Sequence, residues 1–203
     1  MEAKFITLEG IEGSGKTTSI KSINNFLKLK NINYVNTREP GASSFGVEIR
    51  QVLLHSSTKI SSEVELLLML ADRKDHVEKT IQPNLLSNTW VISDRFIDSS
   101  IAYQGGGRQL DINMINLLTS YLNFPSPDLT LLFDLPVEIS LKRIVKRGEL
   151  DRFEREELEF HNRIRESYLK LADENPDRIK VIDGSMNPDK VEAKVIETLD
   201  KLL

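Results

Sequence analysis

The feature that most constrains the fold of this chain is a glycine-rich segment close to its N-terminus. Gly10–Thr17 reads GIEGSGKT and matches the phosphate-loop pattern G-x-x-x-x-G-K-[ST]. The apolar run Phe5–Glu9 precedes it, and the helix-like stretch Thr17–Lys30 follows it. A plain glycine-rich turn is the alternative, but a turn alone does not require this strand, lysine and helix together. The segment therefore predicts a phosphate-binding loop between a strand and a helix.

The residue types of this loop suit a triphosphate. Its three glycines let backbone N–H groups approach phosphate oxygens, and the N-terminus of the following helix adds partial positive charge. Lys16 can reach the β- and γ-phosphates, and the Thr17 hydroxyl can ligate Mg²⁺. We therefore predict that a nucleoside triphosphate binds to Gly10, Ile11, Glu12, Gly13, Ser14, Gly15, Lys16, Thr17 and Thr18.

Composition narrows the class of protein. The 203 residues are enough for one domain with a substantial core, and the net charge of −4 argues against a nucleic-acid-binding surface. The absence of cysteine excludes disulfides, zinc–thiolate sites and cysteine nucleophiles. No apolar run approaches the length of about 18 residues that a membrane span needs, and no signal peptide is evident. We therefore expect no membrane partner and a cytoplasmic location.

Short apolar runs alternate with helix-like stretches along the chain. The predicted strands are Phe5–Glu9, Tyr34–Arg38, Trp90–Asp94, Thr130–Asp134 and Lys180–Asp183. The predicted helices are Thr17–Lys30, Phe45–Leu54, Ser62–Leu86 (kinked or ended by Pro83), Ile112–Tyr121, Val137–Lys146, Glu156–Glu174 and Pro188–Leu203. This alternation predicts a three-layer α/β fold, a five-stranded parallel sheet with helices on both faces, in one domain over residues 1–203. Ligands of such a sheet lie at the carboxyl ends of its strands.

Two further segments carry candidate site residues. The third predicted strand ends in Asp94-Arg95, where a carboxylate can hold Mg²⁺ through water and an arginine can reach a phosphate. A structural salt bridge at a strand end is the alternative. Tyr103 and Gln104 precede three glycines and offer a ring and an amide, which suit a base and a sugar more than a phosphate. On their own, the three glycines are equally typical of a flexible loop.

The segment 143–157, RIVKRGELDRFEREE, alternates basic residues with carboxylates. A solvated charged helix with pairs four residues apart is one interpretation. However, Gly148 interrupts the helical pattern, and the segment follows the fourth predicted strand. The functional interpretation is an arginine-bearing lid over the phosphates at about residues 147–157.

Six motifs occur together in this chain: LEGIEGSGKTT (Leu8–Thr18), TREPG (Thr37–Gly41), LADR (Leu70–Arg73), SDRF (Ser93–Phe96), AYQGGGR (Ala102–Arg108) and RGELDR (Arg147–Arg152). TREPG with YQGGGR is much more specific than the phosphate loop alone. With these motifs the chain resembles the bacterial type of thymidylate (dTMP) kinases, which have a phosphate-loop nucleoside monophosphate kinase fold. The resemblance implies transfer of the γ-phosphate of ATP to dTMP, giving dTDP and ADP, with Mg²⁺ as cofactor. It also implies a homodimer, formed through the helices around Phe45–Leu54 and Ser62–Leu86.

The resemblance assigns the acceptor nucleotide to a set of polar side chains. Arg38 and Arg95 would hold the dTMP phosphate, and Tyr103 would lie under the deoxyribose and exclude a 2′-hydroxyl. The thymine side would be contacted by Arg50, Arg73, Ser100 and Gln104. Met69 occupies the position at which the family usually has a phenylalanine stacked on the base. A thioether can lie flat on a ring but specifies its orientation less well.

The resemblance also indicates how charge is neutralised during the reaction. The acceptor phosphate is already an oxyanion, so alignment and positive charge are needed rather than a general base. Lys16, Mg²⁺, Arg95 and one lid arginine would supply that charge. Eukaryotic-type enzymes have an arginine after the loop acid, but here Gly13 has that position. We therefore expect Arg152 of the lid to provide the transition-state arginine.

Two other residues receive roles from the resemblance. Glu12 would accept a hydrogen bond from the sugar 3′-hydroxyl or orient an arginine, and Arg143 would lie against adenine. The family often has a tyrosine or histidine at the position of Phe96, so a polar group is absent here.

Two alternatives remain at this point. A phosphate-loop kinase of another deoxynucleotide or of a deoxynucleoside would share most motifs, and a deoxynucleoside would need a base, for which Glu12 is the candidate. A GTP-dependent switch would need an Asn-Lys-x-Asp segment, which the chain lacks. His55, His76 and His161 are interpreted as structural or solvent-facing, because phosphoryl transfer does not require them.

Overall fold

The structure, a computed structural model, describes residues 2–55, 58–148 and 150–203. Its strands are β1 Phe5–Glu9, β2 Tyr34–Arg38, β3 Trp90–Asp94, β4 Leu129–Asp134 and β5 Ile179–Asp183. They form one parallel sheet in the order β2-β3-β1-β4-β5. The predicted five-stranded parallel sheet is confirmed, with β4 and β5 each beginning one residue earlier than predicted.

Helices cover both faces of this sheet. They are α1 Lys16–Leu29, α2 Ser44–His55, α3 Ser62–His76, α4 Gln82–Leu86, α5 Ile97–Ser100, α6 Ile112–Leu122, α7 Val137–Arg147, α8 Leu158–Glu174 and α9 Pro188–Asp200. Two π-helical segments, Val77–Ile81 and Ile101–Gly107, join α3 to α4 and extend α5.

The three predicted layers are present. On one face, Ile6 of β1 packs in a buried apolar cluster with Ile23 of α1 and Val195 of α9. On the other face, Leu132 of β4 lies in a cluster with Ile164 of α8. Both faces of the central strands are therefore buried, as expected for a parallel sheet that binds ligands only at its edge.

The predicted helix Ser62–Leu86 is divided into three parts. The π-helical segment Val77–Ile81 separates α3 from α4, which has Pro83 in its first turn. Proline cannot donate the backbone hydrogen bond that a continuous α-helix requires, so the turn before it widens. The helix was expected to kink or end at Pro83; it does not end there, because α4 continues through Pro83 to Leu86, and the irregular part is the π-helical turn before it.

The glycine cluster lies in a helix rather than in a flexible loop. No helix was predicted between β3 and α6, but α5 and the π-helical segment Ile101–Gly107 fill that region. A Cβ atom on Gly106 would lie 2.6 Å from the Ser167 Cβ, and one on Gly107 would lie 2.6 Å from the Phe160 ring. The glycines therefore allow this segment to pack closely against α8, which a reading of local sequence does not reveal.

Among the described residues, no helix combines the length and the apolar character that crossing a membrane requires.

Candidate active site

Two neighbouring cavities open at the carboxyl ends of β1, β2 and β3. The first, the loop cavity, has a volume of about 240 Å³ and is lined by residues 12–18 and Asp94. The second, the arginine cavity, has a volume of about 280 Å³. It is lined by Glu12, Thr17, Arg38, Glu39, Pro40, Arg50, Leu54, Met69, Arg73, Asp94, Arg95, Ser99, Ser100, Tyr103, Gln104, Asp151 and Phe153.

The structure thus brings together residues that are far apart in sequence. The arginine cavity contains every residue that the resemblance assigned to dTMP, and Glu12, Thr17 and Asp94 line both cavities. The two cavities therefore meet at a common border of three side chains.

The loop between β1 and α1 adopts a backbone that favours glycine. The φ angles of Gly13 and Gly15 are 71° and 108°, which is the left-handed region. At Gly10, an added Cβ would lie 2.4 Å from the carbonyl oxygen of Phe133 in β4. These glycines let the loop bend tightly into the N-terminus of α1, the geometry that presents N–H groups to phosphates.

The side chain of Lys16 is folded back onto the loop. Its Nζ donates hydrogen bonds to the carbonyl oxygens of Gly10, at 2.8 Å, and Ile11, at 3.0 Å. Burial, followed by the nearby charge of Arg95, lowers the pKa of Lys16. A buried lysine beside the loop cavity is placed to neutralise phosphate charge after exchanging these two carbonyl partners.

Asp94 and Thr17 have the chemistry of a magnesium site. Both line the two cavities, and Asp94 Oδ1 is a buried oxygen for which the described residues offer no hydrogen-bond partner. A carboxylate and a hydroxyl, completed by water and phosphate oxygens, suit Mg²⁺. The residues present therefore fit the metal that the resemblance implies.

Arg95 is the most highly connected side chain of the site. Its Nη2 lies 2.5 Å from Glu12 Oε1 and 2.9 Å from the Tyr103 hydroxyl oxygen. Its Nη1 donates to Ser99 Oγ and to the Tyr168 hydroxyl, each at 3.1 Å. Burial alone would lower the pKa of Arg95, but the Glu12 carboxylate and other neighbours raise it well above its ordinary value. The guanidinium is therefore a fixed positive charge in the arginine cavity.

A buried carboxylate supports this arrangement from below. Glu9 accepts hydrogen bonds from Ser99 Oγ at 2.6 Å, the Tyr168 hydroxyl at 2.8 Å and the Phe96 backbone N–H at 2.7 Å. Burial, followed by the charge of Asp98, raises the pKa of Glu9 to about 7. Ser99 and Tyr168 were not predicted from the sequence as supports of Arg95. No local signal marks them, because they converge from α5 and α8.

The turn after β2 contributes a second group of arginines. Arg38 lies exposed at the rim of the arginine cavity, and Arg50 of α2 donates to the Pro40 carbonyl oxygen at 2.7 Å. The Glu39–Pro40 peptide bond is cis. Burial, followed by the charge of Arg38, lowers the pKa of Arg50. Two cations therefore share one side of the cavity, which suits an anionic ligand.

Arg73 of α3 lies buried behind the base side of the cavity. Its Nε donates to Glu39 Oε2 at 2.7 Å, its Nη1 to Ser100 Oγ at 2.9 Å, and its Nη2 to the Phe96 carbonyl oxygen at 2.9 Å. Glu39 Oε1 in turn lies 2.8 Å from Nδ1 of the buried His76. These contacts fix the guanidinium plane of Arg73 and give His76 the structural position expected for it.

Asp72 anchors the loop that follows the cis peptide bond. Its Oδ1 accepts a hydrogen bond from the Gly41 N–H at 3.0 Å, while its Oδ2 is buried and has no hydrogen-bond partner among the described residues. Burial, followed by the charge of Glu39, raises the pKa of Asp72 to about 6. This carboxyl group was not singled out from the sequence.

The remaining residues assigned to the acceptor lie around the same cavity. Met69 is half-buried on its wall, as expected for a residue that could lie against a ring. Tyr103 packs its ring edge-on against Phe153, with 5.6 Å between ring centroids. Gln104 is buried, and its Nε2 donates to Glu65 Oε1 at 2.8 Å.

Arg143 contacts the phosphate loop from α7. Its Nη1 donates to the Gly13 carbonyl oxygen at 3.0 Å and its Nη2 to the Gly184 carbonyl oxygen at 3.3 Å. The side chain is exposed, so one face of its guanidinium is accessible beside the loop. This position is compatible with the predicted contact to adenine.

The expected position of Arg152 over the phosphates is not what the structure shows. Arg152 donates from Nε to the Leu53 carbonyl oxygen at 2.7 Å, and its Nη2 lies 2.8 Å from Glu65 Oε2. Among the described residues, it lines neither cavity, whereas its neighbours Asp151 and Phe153 line the arginine cavity. The buried Glu65, which attracts this arginine, was not predicted from the sequence. Of the predicted lid, Glu149 and the side chain of Arg147 lie outside the described residues.

Comparisons with known proteins agree with this site. A family model described as thymidylate kinase matches residues 8–195. A curated thymidylate kinase of Carboxydothermus hydrogenoformans is 50% identical over 195 residues, covering 94% of each chain. That of Vesicomyosocius okutanii is 49% identical over 184 residues, covering 90% of each chain. The crystal structure of the Ehrlichia chaffeensis thymidylate kinase, 34% identical, superposes with a TM-score of 0.80 over 98% of this chain and 100% of that one.

A family match over nearly the whole chain coincides with a phosphate loop beside an arginine-lined cavity. The chain belongs to the thymidylate kinase family, and its reaction is the phosphorylation of dTMP to dTDP.

Proposed function

We propose that this chain binds the phosphates of ATP in the loop cavity and dTMP in the arginine cavity, and transfers the γ-phosphoryl group between them with Mg²⁺. The observation that carries the proposal is the common border of the two cavities at Glu12, Thr17 and Asp94. Phosphates bound on either side of this border would face each other, which is the alignment that an in-line transfer requires.

The reaction makes one bond and breaks another. An oxygen of the dTMP phosphate forms a bond to the γ-phosphorus, and the bond from that phosphorus to the β–γ bridging oxygen breaks, so ADP leaves. No proton has to be removed from the acceptor, because its phosphate is an oxyanion. The task of the protein is therefore to hold two anions together and to neutralise the charge that shifts between them.

Lys16 and Arg95 meet this requirement from opposite sides of the border. Lys16 would follow the charge that develops on the β- and γ-phosphates. Arg95, oriented by Glu12, would hold the acceptor phosphate together with Arg38. The ion pair favours the second of the two roles expected for Glu12, the orientation of an arginine. Mg²⁺, held by Thr17 and Asp94, would neutralise further phosphate charge when bound.

The nucleoside of dTMP would extend towards α3. Tyr103 would lie under the deoxyribose, with Met69 against the thymine ring. The thymine side would also meet Arg50, Arg73, Ser100 and Gln104. Arg73 is held rigidly by Glu39, which lowers the entropic cost of ordering it around a base.

The donor side would use the rest of the loop and Arg143. Backbone N–H groups of the loop would contact the phosphates, and the exposed Arg143 would lie against adenine. In this structure Glu65 holds Arg152 away from the loop cavity. To act on the phosphates, Arg152 would therefore leave Glu65 when the lid closes.

We also propose a homodimer in the cytoplasm. The faces of α2 and α3 expose large apolar side chains that a monomer does not bury, a pattern typical of an interface between copies. These residues are Phe45, Val47, Val52, Val64 and Leu67.

A coupled assay of ADP release tests the proposal. The enzyme, ATP and Mg²⁺ would be incubated with dTMP, dUMP, dCMP, dGMP, thymidine or no acceptor. We expect fast ADP release with dTMP and only background release with thymidine or without acceptor. Faster release with thymidine than with dTMP would identify a deoxynucleoside kinase, and equal release in every sample would identify an acceptor-independent hydrolase.

A further inference from the structure

Glu65 of α3 is a buried carboxylate that joins three parts of the molecule. Its side chain is 1% exposed, yet Oε1 accepts a hydrogen bond from Gln104 Nε2 at 2.8 Å. Oε2 lies 3.1 Å from Arg108 Nε and 2.8 Å from Arg152 Nη2. One carboxylate thus links Gln104 of the arginine cavity, Arg108 at the end of the glycine-rich segment and Arg152 of the lid segment.

The contact with Glu65 determines which end of the Gln104 amide is available to a ligand. An ionised carboxylate can only accept hydrogen bonds, so it binds the NH₂ end of an amide and not the oxygen. With Nε2 turned towards Glu65, the amide oxygen is the acceptor that Gln104 offers to a base in the arginine cavity, and one N–H of Nε2 is already used by Glu65. Such an acceptor suits the N3–H group of thymine and does not suit the unprotonated N3 of cytosine.

The lid segment is seated by the same carboxylate. Asp151 and Phe153 line the arginine cavity, while Arg152 between them lies on Glu65. The guanidinium of Arg108 lies 5.6 Å from the Phe153 ring centroid and completes the contact. The wall that Phe153 forms therefore depends on the two arginines that Glu65 binds.

We infer that Glu65 is a positioning residue for acceptor recognition, which turns the Gln104 amide oxygen towards the base and, before the lid closes, seats Phe153 in the wall of the same cavity. The inference rests on the proposed binding of dTMP in the arginine cavity. Glu65 acts through Gln104, Arg108 and Arg152 and has no contact of its own with the reacting atoms.

The decisive variant is Glu65→Gln, measured by steady-state kinetics. A glutamine at this position can donate as well as accept, so it no longer dictates the orientation of the Gln104 amide. We expect the KM for dTMP to rise about tenfold, with kcat and the KM for ATP each within about threefold of wild type. An unchanged KM for dTMP, or an equal rise in the KM values for dTMP and ATP, would overturn the inference.

Two further measurements report on the mechanism rather than on general damage. The inhibition constant of dCMP against dTMP should fall relative to the KM for dTMP, because a rotated amide can donate to cytosine N3. In Glu65→Gln combined with Gln104→Ala, the rise in the KM for dTMP should be smaller than the product of the two single-variant effects, because both changes remove the same Gln104 interaction. Multiplicative effects on KM, or a constant ratio for dCMP, would contradict an action through Gln104.

Glu156→Gln is the matched control. Glu156 Oε1 lies 2.6 Å from Arg108 Nη1, and in the part of the chain that the structure describes Glu156 has no contact with Gln104. Replacing Glu156 should therefore change the KM for dTMP less than about twofold. If Glu65→Gln does not fold, as judged by circular dichroism, Glu65→Asp carries the same test with the charge retained and the reach shortened. A different result would show that dTMP does not bind in the arginine cavity: in that case Gln104→Ala alone would leave the KM for dTMP unchanged.

Discussion

The Nη2 atom of Arg95 lies 2.5 Å from Oε1 of Glu12, so a residue after β3 and a residue of the phosphate loop form an ion pair across the border of the two cavities. Arg95 has a left-handed backbone with φ of 76°, which is costly for a side chain with a Cβ atom. Its backbone N–H donates to the Leu8 carbonyl oxygen at 3.0 Å, and this bond helps to hold the strained position. From this position the guanidinium of Arg95 reaches Glu12 of the loop.

Replacing Arg95 by lysine tests whether the geometry of the planar guanidinium matters in addition to its charge. Lysine keeps the positive charge but cannot bind Glu12, Tyr103, Ser99 and Tyr168 from two fixed nitrogens. We expect kcat/KM for dTMP to fall about 10- to 100-fold. As a control, Arg178→Lys alters another bidentate arginine, paired with Asp98. It should lower stability and leave kcat/KM nearly unchanged, whereas equal effects of the two variants would contradict the role of Arg95.

Lys16→Ala should give a folded protein with very low activity. The variant removes two hydrogen bonds to loop carbonyls, which affects the fold little, but it also removes charge at the triphosphate. We expect kcat to fall about 100-fold or more. The exposed Lys21, on the same helix, provides the control variant Lys21→Ala. Retention of more than about a tenth of wild-type turnover would be incompatible with the proposed electrostatic role.

Tyr103 should set the preference for deoxyribose over ribose. Tyr103→Ala removes the ring and should narrow the ratio of kcat/KM between dTMP and its ribose form about tenfold. Tyr103→Phe keeps the ring but loses the hydroxyl that accepts from Arg95, so it should lower kcat and preserve the ratio. Competition kinetics with both nucleotides measure the ratio, and an unchanged ratio in the alanine variant would place the discrimination elsewhere.

Arg152 and Arg155 test the lid. If Arg152 moves to the phosphates on closure, Arg152→Ala should lower kcat about 100-fold or more and change the KM for dTMP less. Arg155 is exposed, so Arg155→Ala should stay within about threefold of wild type. Near-wild-type kcat in Arg152→Ala would mean that this arginine stays on Glu65 throughout the reaction and that Arg95 and Lys16 carry the charge.

Asp72 should make stability depend on pH between about 4 and 6. Its pKa is raised to about 6 in the folded protein by burial, from 3.8. Between these values the folded state binds the proton and the unfolded state does not, so stability falls as pH rises through this window. Asp72→Asn removes the effect and should raise the free energy of unfolding at pH 8 by about 1–3 kcal/mol.

Urea unfolding of wild type and Asp72→Asn at several pH values checks this prediction. The difference between the two proteins should grow from pH 4 to pH 6 and then stay level. A difference that is independent of pH would show that the Asp72 carboxyl group titrates near its ordinary pKa.

The sequence was sufficient to predict the features that depend on local pattern. The strands, the loop with Lys16 and the Asp94-Arg95 pair are each encoded by a short run of residues, and the structure places them at one edge of the sheet. The motif resemblance placed the cavity residues from α2, α3 and the glycine-rich segment. Periodicity alone could not have predicted that these residues lie in one cavity, because their contacts join elements that are far apart in the chain.

Predictions from the sequence were wrong or incomplete where a buried partner determines the position of a side chain. Glu65 lies inside the predicted helix Ser62–Leu86 and was not singled out from the sequence, yet it holds Arg152 away from the loop cavity. Similarly, nothing local marks Tyr168 as a support of Arg95 from a distant helix. The π-helical segments were also missed, because their hydrogen-bond pattern follows from close packing and from Pro83 rather than from a distinct apolar period.

The border of three side chains has a thermodynamic consequence for the two substrates. Since Glu12, Thr17 and Asp94 contact both cavities, an occupant of one cavity changes the electrostatic potential felt in the other. Two nucleotide anions separated by so thin a wall repel each other unless positive charge lies between them. Their affinities are therefore linked, and by reciprocity any factor by which ATP alters the dissociation constant of dTMP is the factor by which dTMP alters that of ATP.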